Sequence, residues 1–182
     1  MGLRERLFGR RQEADEGPDP LADLVLAKLK VGYLGDYDRR TWRVTGHDRY
    51  QFSGRDRIDE WELTAGNDQR YLEHADGGWS LSTTIAIGDV GGNVRQHILD
   101  HEDPPEQIIY GGRLYRLDAA YAGHMHPGGD GAGRPVVRWE FLDEAETAFV
   151  GIEQWSETEF TAAAGSLVED YQFTHILPGG PA

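Results

Sequence analysis

Apolar side chains recur at every second position in several short runs of this sequence. Trp42 and Val44 alternate with polar neighbours, as do Trp61 and Leu63. Further runs of the same kind occupy residues 79–87, 137–141 and 171–177. Because successive side chains of an extended strand point to opposite faces of a sheet, each run predicts a half-buried strand. Turn residues separate the runs, so we expect a mainly β fold, an antiparallel sandwich or barrel.

The strands are arranged in an apparent internal repeat. The triplet WEL at 61–63 returns as WEF at 139–141, and an aromatic–apolar pair follows each Trp at the same offset. We therefore predict two pseudo-repeated antiparallel β-meander halves, about 31–90 and 107–165. The connector 91–106 is expected to hold one helical turn, which Pro104 and Pro105 end.

The beginning of the chain differs in composition from this β-rich part. Residues 1–19 are basic at first and then become an acidic linker that contains Pro and Gly. Asp19 and Pro20 have the sequence of a helix start, and leucines recur at helical spacing until Gly32. We predict a short N-terminal helix over roughly 20–30, and a single β-rich domain over 20–178.

Composition excludes several classes of function. The 182 residues include no Cys, which rules out disulfides, thiolate metal sites and Cys nucleophiles. A net charge of -14 argues against nucleic-acid binding. No apolar run reaches the roughly 18–20 residues that span a membrane, and there is no G-x-S-x-G, P-loop or H-E-x-x-H motif. We therefore expect a non-enzymatic protein without a cofactor.

The first eleven residues, MGLRERLFGRR, have the pattern of a small interfacial anchor. As a helix they would place apolar side chains on one face, with arginines beside them to meet anionic headgroups. The expected membrane-contacting residues are Leu3, Arg4, Leu7, Phe8, Arg10 and Arg11. The alternative is a terminus that packs on the domain or on a partner helix.

Two further sets of residues are candidate sites. His97 and His101 have the i, i+4 spacing that lets two imidazoles meet one metal ion, although ordinary surface histidines would have the same spacing. Glu62 and Glu140 occupy equivalent positions in the repeat, and Trp155 falls at a strand end. Acidic groups beside aromatic faces would bind a cation such as a polyamine, whereas outward-facing glutamates would only form cross-strand ion pairs.

Four segments carry a resemblance to a known family. They read LKVGYLGDYDRRTWRVTGHDRY, DEWELTAGNDQRYLEHADGGWSLS, IIYGGRLYRLDAAYAGH and FVGIEQWSETEFTAAAG. Over roughly residues 29–170 the chain resembles the bacterial family known only as domain of unknown function 4178. The resemblance implies no active site. It implies a setting beside envelope-stress proteins of the phage-shock type, small membrane proteins and polyamine-type enzymes.

Three functional hypotheses follow from these patterns. The first is an accessory or adaptor domain of a bacterial envelope-stress system, cytoplasmic and docked by residues 1–11 at the inner face of the membrane, where it meets anionic lipid and a protein partner. The second is a binding module for a cationic small molecule such as a polyamine. The third is a metal-dependent enzyme that uses His97 and His101. The oligomeric state is left open, since an edge strand between the halves could form a dimer seam.

Overall fold

The computed structural model describes residues 24–53, 57–75 and 77–179. Strands make up 59% of these residues, which confirms the mainly β prediction. The first five strands are β1 (Leu34–Tyr37), β2 (Arg40–Phe52), β3 (Ile58–Ala65), β4 (Asp68–Ala75) and β5 (Gly78–Ile85). Helix α1 (Val94–His101) and β6 (Gln107–Tyr110) follow. The last five strands are β7 (Arg113–Pro127), β8 (Arg134–Leu142), β9 (Ala148–Gln154), β10 (Phe160–Val168) and β11 (Thr174–Leu177).

Eight of these strands close into an antiparallel barrel. Strands β2 to β5 form one meander and β7 to β10 form another. The two meanders join through β5–β10 pairing on one side and β2–β7 pairing on the other. A barrel, and not a sandwich, is therefore the architecture of this chain.

The three short strands extend the barrel sheet at its two ends. β1 pairs with both β2 and β11, and β6 pairs with β7. The two-residue turn into β2 uses Asp38 and Arg39, both at positive φ, and the turn into β7 uses Gly111 and Gly112. Turns with two positive-φ residues match the twist of a hairpin.

Two of the three apolar cores among the described residues lie against the outer face of the barrel. On the first meander, Leu26 and Leu29 from the segment before β1 cover Trp42 and Trp61. On the second, Val90 and residues of α1 cover an equivalent apolar surface that includes Trp139. The residues between these apolar positions face the barrel interior, where charged and hydroxyl side chains lie beside a third apolar cluster of Tyr50, Phe52, Ile58 and Val136.

The predicted N-terminal helix over 20–30 is wrong for the part that the structure describes. Residues 20–23 lie outside that part, and the remainder contains one 3₁₀ turn, Leu26–Lys28, between extended residues. The reason is tertiary. The Trp61 indole Nε1 donates a hydrogen bond to the Leu29 carbonyl at 3.1 Å, and Leu26 and Leu29 are buried against the sheet. These contacts outweigh the helical spacing of the leucines.

The connector between the meanders is more helical than expected. α1 contains eight residues, about two turns, where one turn was predicted. Val94 and Ile98 are buried in the core of the second meander, and this burial stabilises the additional turn. Within the residues that the structure describes, no helix is long and apolar enough to cross a membrane.

Candidate functional site

Alternation along β3 and β8 places a group of charged side chains inside the barrel. Trp61 and Trp139 face the outer cores, so their neighbours on either side face inward. β3 pairs Glu60 with Glu73 of β4, and β8 pairs Arg138 with Glu153 of β9. The cross-strand register thus collects charges of both signs on one inner surface.

Arg138 is the centre of this group. Its side chain is 5% exposed, and its two terminal nitrogens donate to the two carboxylate oxygens of Glu73 at 2.8 and 2.9 Å. Its Nε lies 3.2 Å from a Glu140 oxygen, and Nη1 lies 3.8 Å from Glu153. Burial lowers the pKa of Arg138, but the charges of Glu73 and Glu140 outweigh it and hold that pKa well above its ordinary value.

The buried carboxylates of this group outnumber its one cation, Arg138. Burial, and then the charges of Glu73 and Glu153, hold the pKa of Glu60 well above its ordinary value. Glu60 also shares a hydrogen bond with Glu73, and no basic side chain of the described residues forms a salt bridge with it. Burial likewise raises the pKa of Glu153, against the opposing charge of Arg138. Glu60 therefore keeps a proton to a higher pH than an exposed glutamate does.

A cavity of about 260 Å³ lies beside this cluster. Glu60, Glu73, Arg138 and Glu153 line it together with the aromatic rings of Tyr50, Tyr71 and Trp155 and the hydroxyls of Ser82, Thr84 and Thr161. A smaller cavity of about 150 Å³ shares Glu73, Arg138 and Phe149 with it. Because both cavities share this ion pair, the Arg138–Glu73 bridge divides the barrel interior in two.

Trp155 marks the solvent end of the larger cavity. The guanidinium carbon of Arg134 lies 4.6 Å from the Trp155 ring centroid, and Arg134 forms an ion pair with Glu159. Trp155 Nε1 donates to the Thr161 hydroxyl at 2.9 Å, and that hydroxyl donates to Glu153 at 3.0 Å. A chain of hydrogen bonds thus connects the mouth of the cavity with the inner carboxylates.

The three predicted ligand-binding residues take different places around this interior. Glu140 contacts Arg138 and lines the smaller cavity, and Trp155 lines the larger one. Glu62 is in register with Gly46 and Tyr71, and its carboxylate accepts a hydrogen bond from Thr45 at 2.6 Å. Glu62 therefore lies on the same inner face as Glu60 but does not line either cavity.

The predicted metal-binding histidines are neighbours on α1. The ring centroids of His97 and His101 are 4.5 Å apart, and His97 Nδ1 lies 2.9 Å from the Asp103 carbonyl oxygen. Among the described residues, no group of three or more His, Cys, Asp or Glu side chains is arranged to hold a metal ion. A metal at this pair would need its further ligands from elsewhere.

The predicted membrane-contacting residues cannot be placed. Leu3, Arg4, Leu7, Phe8, Arg10 and Arg11 lie outside the described residues.

Four residues of the site were not predicted from the sequence, namely Glu60, Glu73, Arg138 and Glu153. One signal was available: Glu60 and Arg138 directly precede Trp61 and Trp139, just as Glu62 and Glu140 directly follow them. Alternation therefore places both neighbours of each Trp on one face. Alternation does not reveal that the face opposite each Trp lies inside a barrel, because the polar face of a strand usually faces solvent.

Comparison with known proteins gives a family and a relative. The family described as Domain of unknown function (DUF4178) matches residues 30–170. A protein of Aquifex aeolicus that carries the name "Uncharacterized protein" is 29% identical over 181 residues, which cover 98% of this chain and 99% of that relative. No solved structure matches this chain. Neither description states an activity, so the function has to be argued from the geometry of the barrel.

Proposed function

This chain belongs to the family Domain of unknown function (DUF4178), as its sequence suggested, and from that premise we propose that it is a module that binds a small organic cation, such as a polyamine, inside its barrel. The observation that carries the proposal is the excess of carboxylates around the larger cavity inside the barrel. Five acidic side chains line the larger cavity against two arginines. Eight-stranded barrels have an interior wide enough for side chains or for one small ligand.

The charges inside the barrel favour a cation over an anion. Arg138 already has carboxylates on three sides, so it offers little to an incoming anion. Glu60 has no cation of its own and lies beside a second carboxylate. Buried like charges must be neutralised, either by a proton or by a bound cation. A ligand ammonium group would take the place of the proton.

The other lining residues suit an organic cation. Tyr50, Tyr71 and Trp155 offer aromatic faces, which attract ammonium groups that keep some apolar surface. The hydroxyls of Ser82, Thr84 and Thr161 can accept hydrogen bonds. The volume of 260 Å³ is below the roughly 300–1,000 Å³ of sites for drug-sized molecules, which favours a small ligand.

We also infer that the two meanders are copies of one repeated unit and that both copies contribute to this cavity. Trp61 and Trp139 lie in the second strand of their meanders, and each is buried against an outer core. The inner face receives Glu60 and Glu73 from the first meander and Arg138 and Glu153 from the second. A fused pair of this kind would place its ligand between the halves.

The proposal predicts that spermidine stabilises the protein against heat. At a spermidine concentration about 100-fold above Kd, the midpoint of unfolding is expected to rise by about 5–10 °C. NaCl at equal ionic strength is expected to give no comparable shift, because it screens charge without occupying the cavity. Differential scanning calorimetry measures both, and an equal shift with NaCl contradicts the proposal.

Matched variants locate the effect inside the barrel. Glu60→Gln and Glu153→Gln are expected to reduce the shift with spermidine, whereas Glu106→Gln, at an exposed position, leaves it unchanged. Binding to the wild type should tighten as pH rises from the ordinary glutamate pKa toward the raised pKa of Glu60, because the cation needs the ionised carboxyl and displaces its proton. Glu60→Gln should weaken this pH dependence.

A further inference from the structure

Arg134 occupies a position at the mouth of the cavity that has the chemistry of a cation site. Its guanidinium lies over the ring of Trp155 and pairs with Glu159. The side chains of Arg134 and Glu159 are 42% and 51% exposed, whereas that of Arg138 is 5% exposed. The larger cavity therefore has one arginine at its solvent end and another at its inner wall.

An aromatic face beside a carboxylate is what proteins offer to organic cations. Hard metal ions instead require several oxygen ligands, and a ring face supplies none. The guanidinium of Arg134 shows that the site formed by Trp155 and Glu159, here called the corner, accepts a planar organic cation. Because Arg134 occupies this corner, a ligand that approaches from solvent finds it already filled.

The corner is connected with the inner carboxylates. The Trp155 indole reaches Glu153 through the Thr161 hydroxyl, and its ring centroid lies 6.4 Å from that of Tyr50. A cation that moved from the mouth to Glu153 would pass along this aromatic and acidic wall.

We propose that Arg134 is a resident competitor for the cation site, and that an organic ammonium ligand enters the barrel by displacing its guanidinium from Trp155 and Glu159. This inference rests on the proposed function and adds to it a residue that limits affinity and selects for organic cations. Arg134 would keep the cavity mouth occupied in the absence of ligand. Its side chain is exposed enough to swing into solvent when the ligand arrives.

Isothermal titration with spermidine tests the inference. Arg134→Gln is expected to bind spermidine about three- to tenfold more tightly than the wild type. This gain corresponds to the free energy of one partly exposed cation–π contact and one exposed ion pair, which the ligand no longer has to break. The matched control is Arg40→Gln. Arg40 also lies over a tryptophan, 5.1 Å from the Trp42 centroid, and pairs with Asp68, but it does not line the cavity. Its removal is expected to leave the affinity unchanged.

A double-mutant cycle separates displacement from a general effect of charge. In a Trp155→Leu background, the gain from Arg134→Gln is expected to be smaller, since the contested aromatic face is then absent and only Glu159 is still contested. An equal gain in both backgrounds overturns the inference, as does unchanged affinity of Arg134→Gln.

The proposed function is judged separately. If spermidine binds the wild type and Glu60→Gln weakens that binding while Arg134→Gln has no effect, the competitor role is wrong and the cation module stands. If no variant gives a heat of binding and spermidine does not raise the midpoint of unfolding, both proposals fail. Circular dichroism of each variant confirms that it is folded before titration.

Discussion

Arg138 determines how much negative charge the barrel can enclose. It is 4% exposed as a residue and contacts carboxylates of β4, β8 and β9. Its Nε makes no hydrogen bond, although it lies near Glu140. One buried cation thus compensates three carboxylates in part, and a group of this kind is destabilised strongly when one member is removed.

Arg138→Met is therefore expected to lower the free energy of unfolding by about 3–5 kcal/mol, because it leaves buried carboxylates without their cation. Urea denaturation measures the loss. The control, Arg40→Met, removes a cation whose side chain is 46% exposed from a pair with Asp68, whose side chain is 61% exposed, and about 0–1 kcal/mol is expected there.

The loss at Arg138 should also depend on pH in a defined direction. Burial and like charge hold the pKa of Glu60 above its value in the unfolded chain, and removing Arg138 raises it further. The folded state then binds protons that the unfolded state releases, so stability falls as pH rises from the ordinary to the raised pKa. Arg138→Met should be closer to the wild type at pH 5 than at pH 8. Equal losses at both pH values would contradict this account.

At the scale of elements, two seams join the meanders, and each carries a glycine in close contact with the opposite strand. A Cβ at Gly123 of β7 would lie 2.2 Å from the Gln51 carbonyl oxygen of β2. A Cβ at Gly165 of β10 would lie 2.4 Å from the Leu81 carbonyl oxygen of β5. A backbone carbonyl cannot move aside as a flexible side chain can. Closure of the barrel therefore depends on glycine, which has no Cβ, at one position in each seam.

Gly123→Ala is expected to destabilise the protein by about 1–3 kcal/mol, since the methyl group forces β2 and β7 apart. The measurement is the urea midpoint. Gly35→Ala is the control, because a Cβ there would lie 3.8 Å from Ile176 Cγ1, an ordinary contact. If both variants unfold at the same urea concentration, the seam is not as tightly constrained as the structure indicates.

At the scale of the whole molecule, the chain combines a strongly acidic body with a basic beginning. The net charge is -14, yet residues 1–11 carry four arginines and one glutamate. An anionic membrane would attract the basic residues 1–11 and repel the acidic remainder of the chain, within a Debye length of about 8 Å at physiological ionic strength. The adaptor hypothesis depends on this asymmetry and stays a prediction.

Flotation with vesicles tests it. The full chain is expected to float with anionic vesicles, to remain behind with neutral ones, and to float less as salt is raised. A chain without residues 1–11 should not float, nor should one in which Arg4, Arg6, Arg10 and Arg11 are all Gln. Flotation that survives both changes would assign the membrane contact to another part of the protein.

The sequence by itself indicated a mainly β, antiparallel fold and several of its strands, and two of the three residues predicted to bind a cation, Glu140 and Trp155, line an interior cavity. Side-chain alternation is a local property, so Trp61 and Trp139 were placed correctly as core residues of their strands. The absence of Cys likewise excluded thiolate chemistry without knowledge of the fold, because composition does not depend on which residues are in contact.

Only the tertiary structure decided which strand face is enclosed. Alternation distinguishes the two faces of a strand but does not say which one the barrel surrounds, and here the apolar face packs outward under Leu26, Leu29 and α1. Closure through β2–β7 and β5–β10 pairing then brings Glu60, Glu73, Arg138 and Glu153 together from four strands. The Glu73–Arg138 ion pair, for example, joins residues 65 positions apart. Such pairings arise from long-range register, which no local pattern in the sequence encodes.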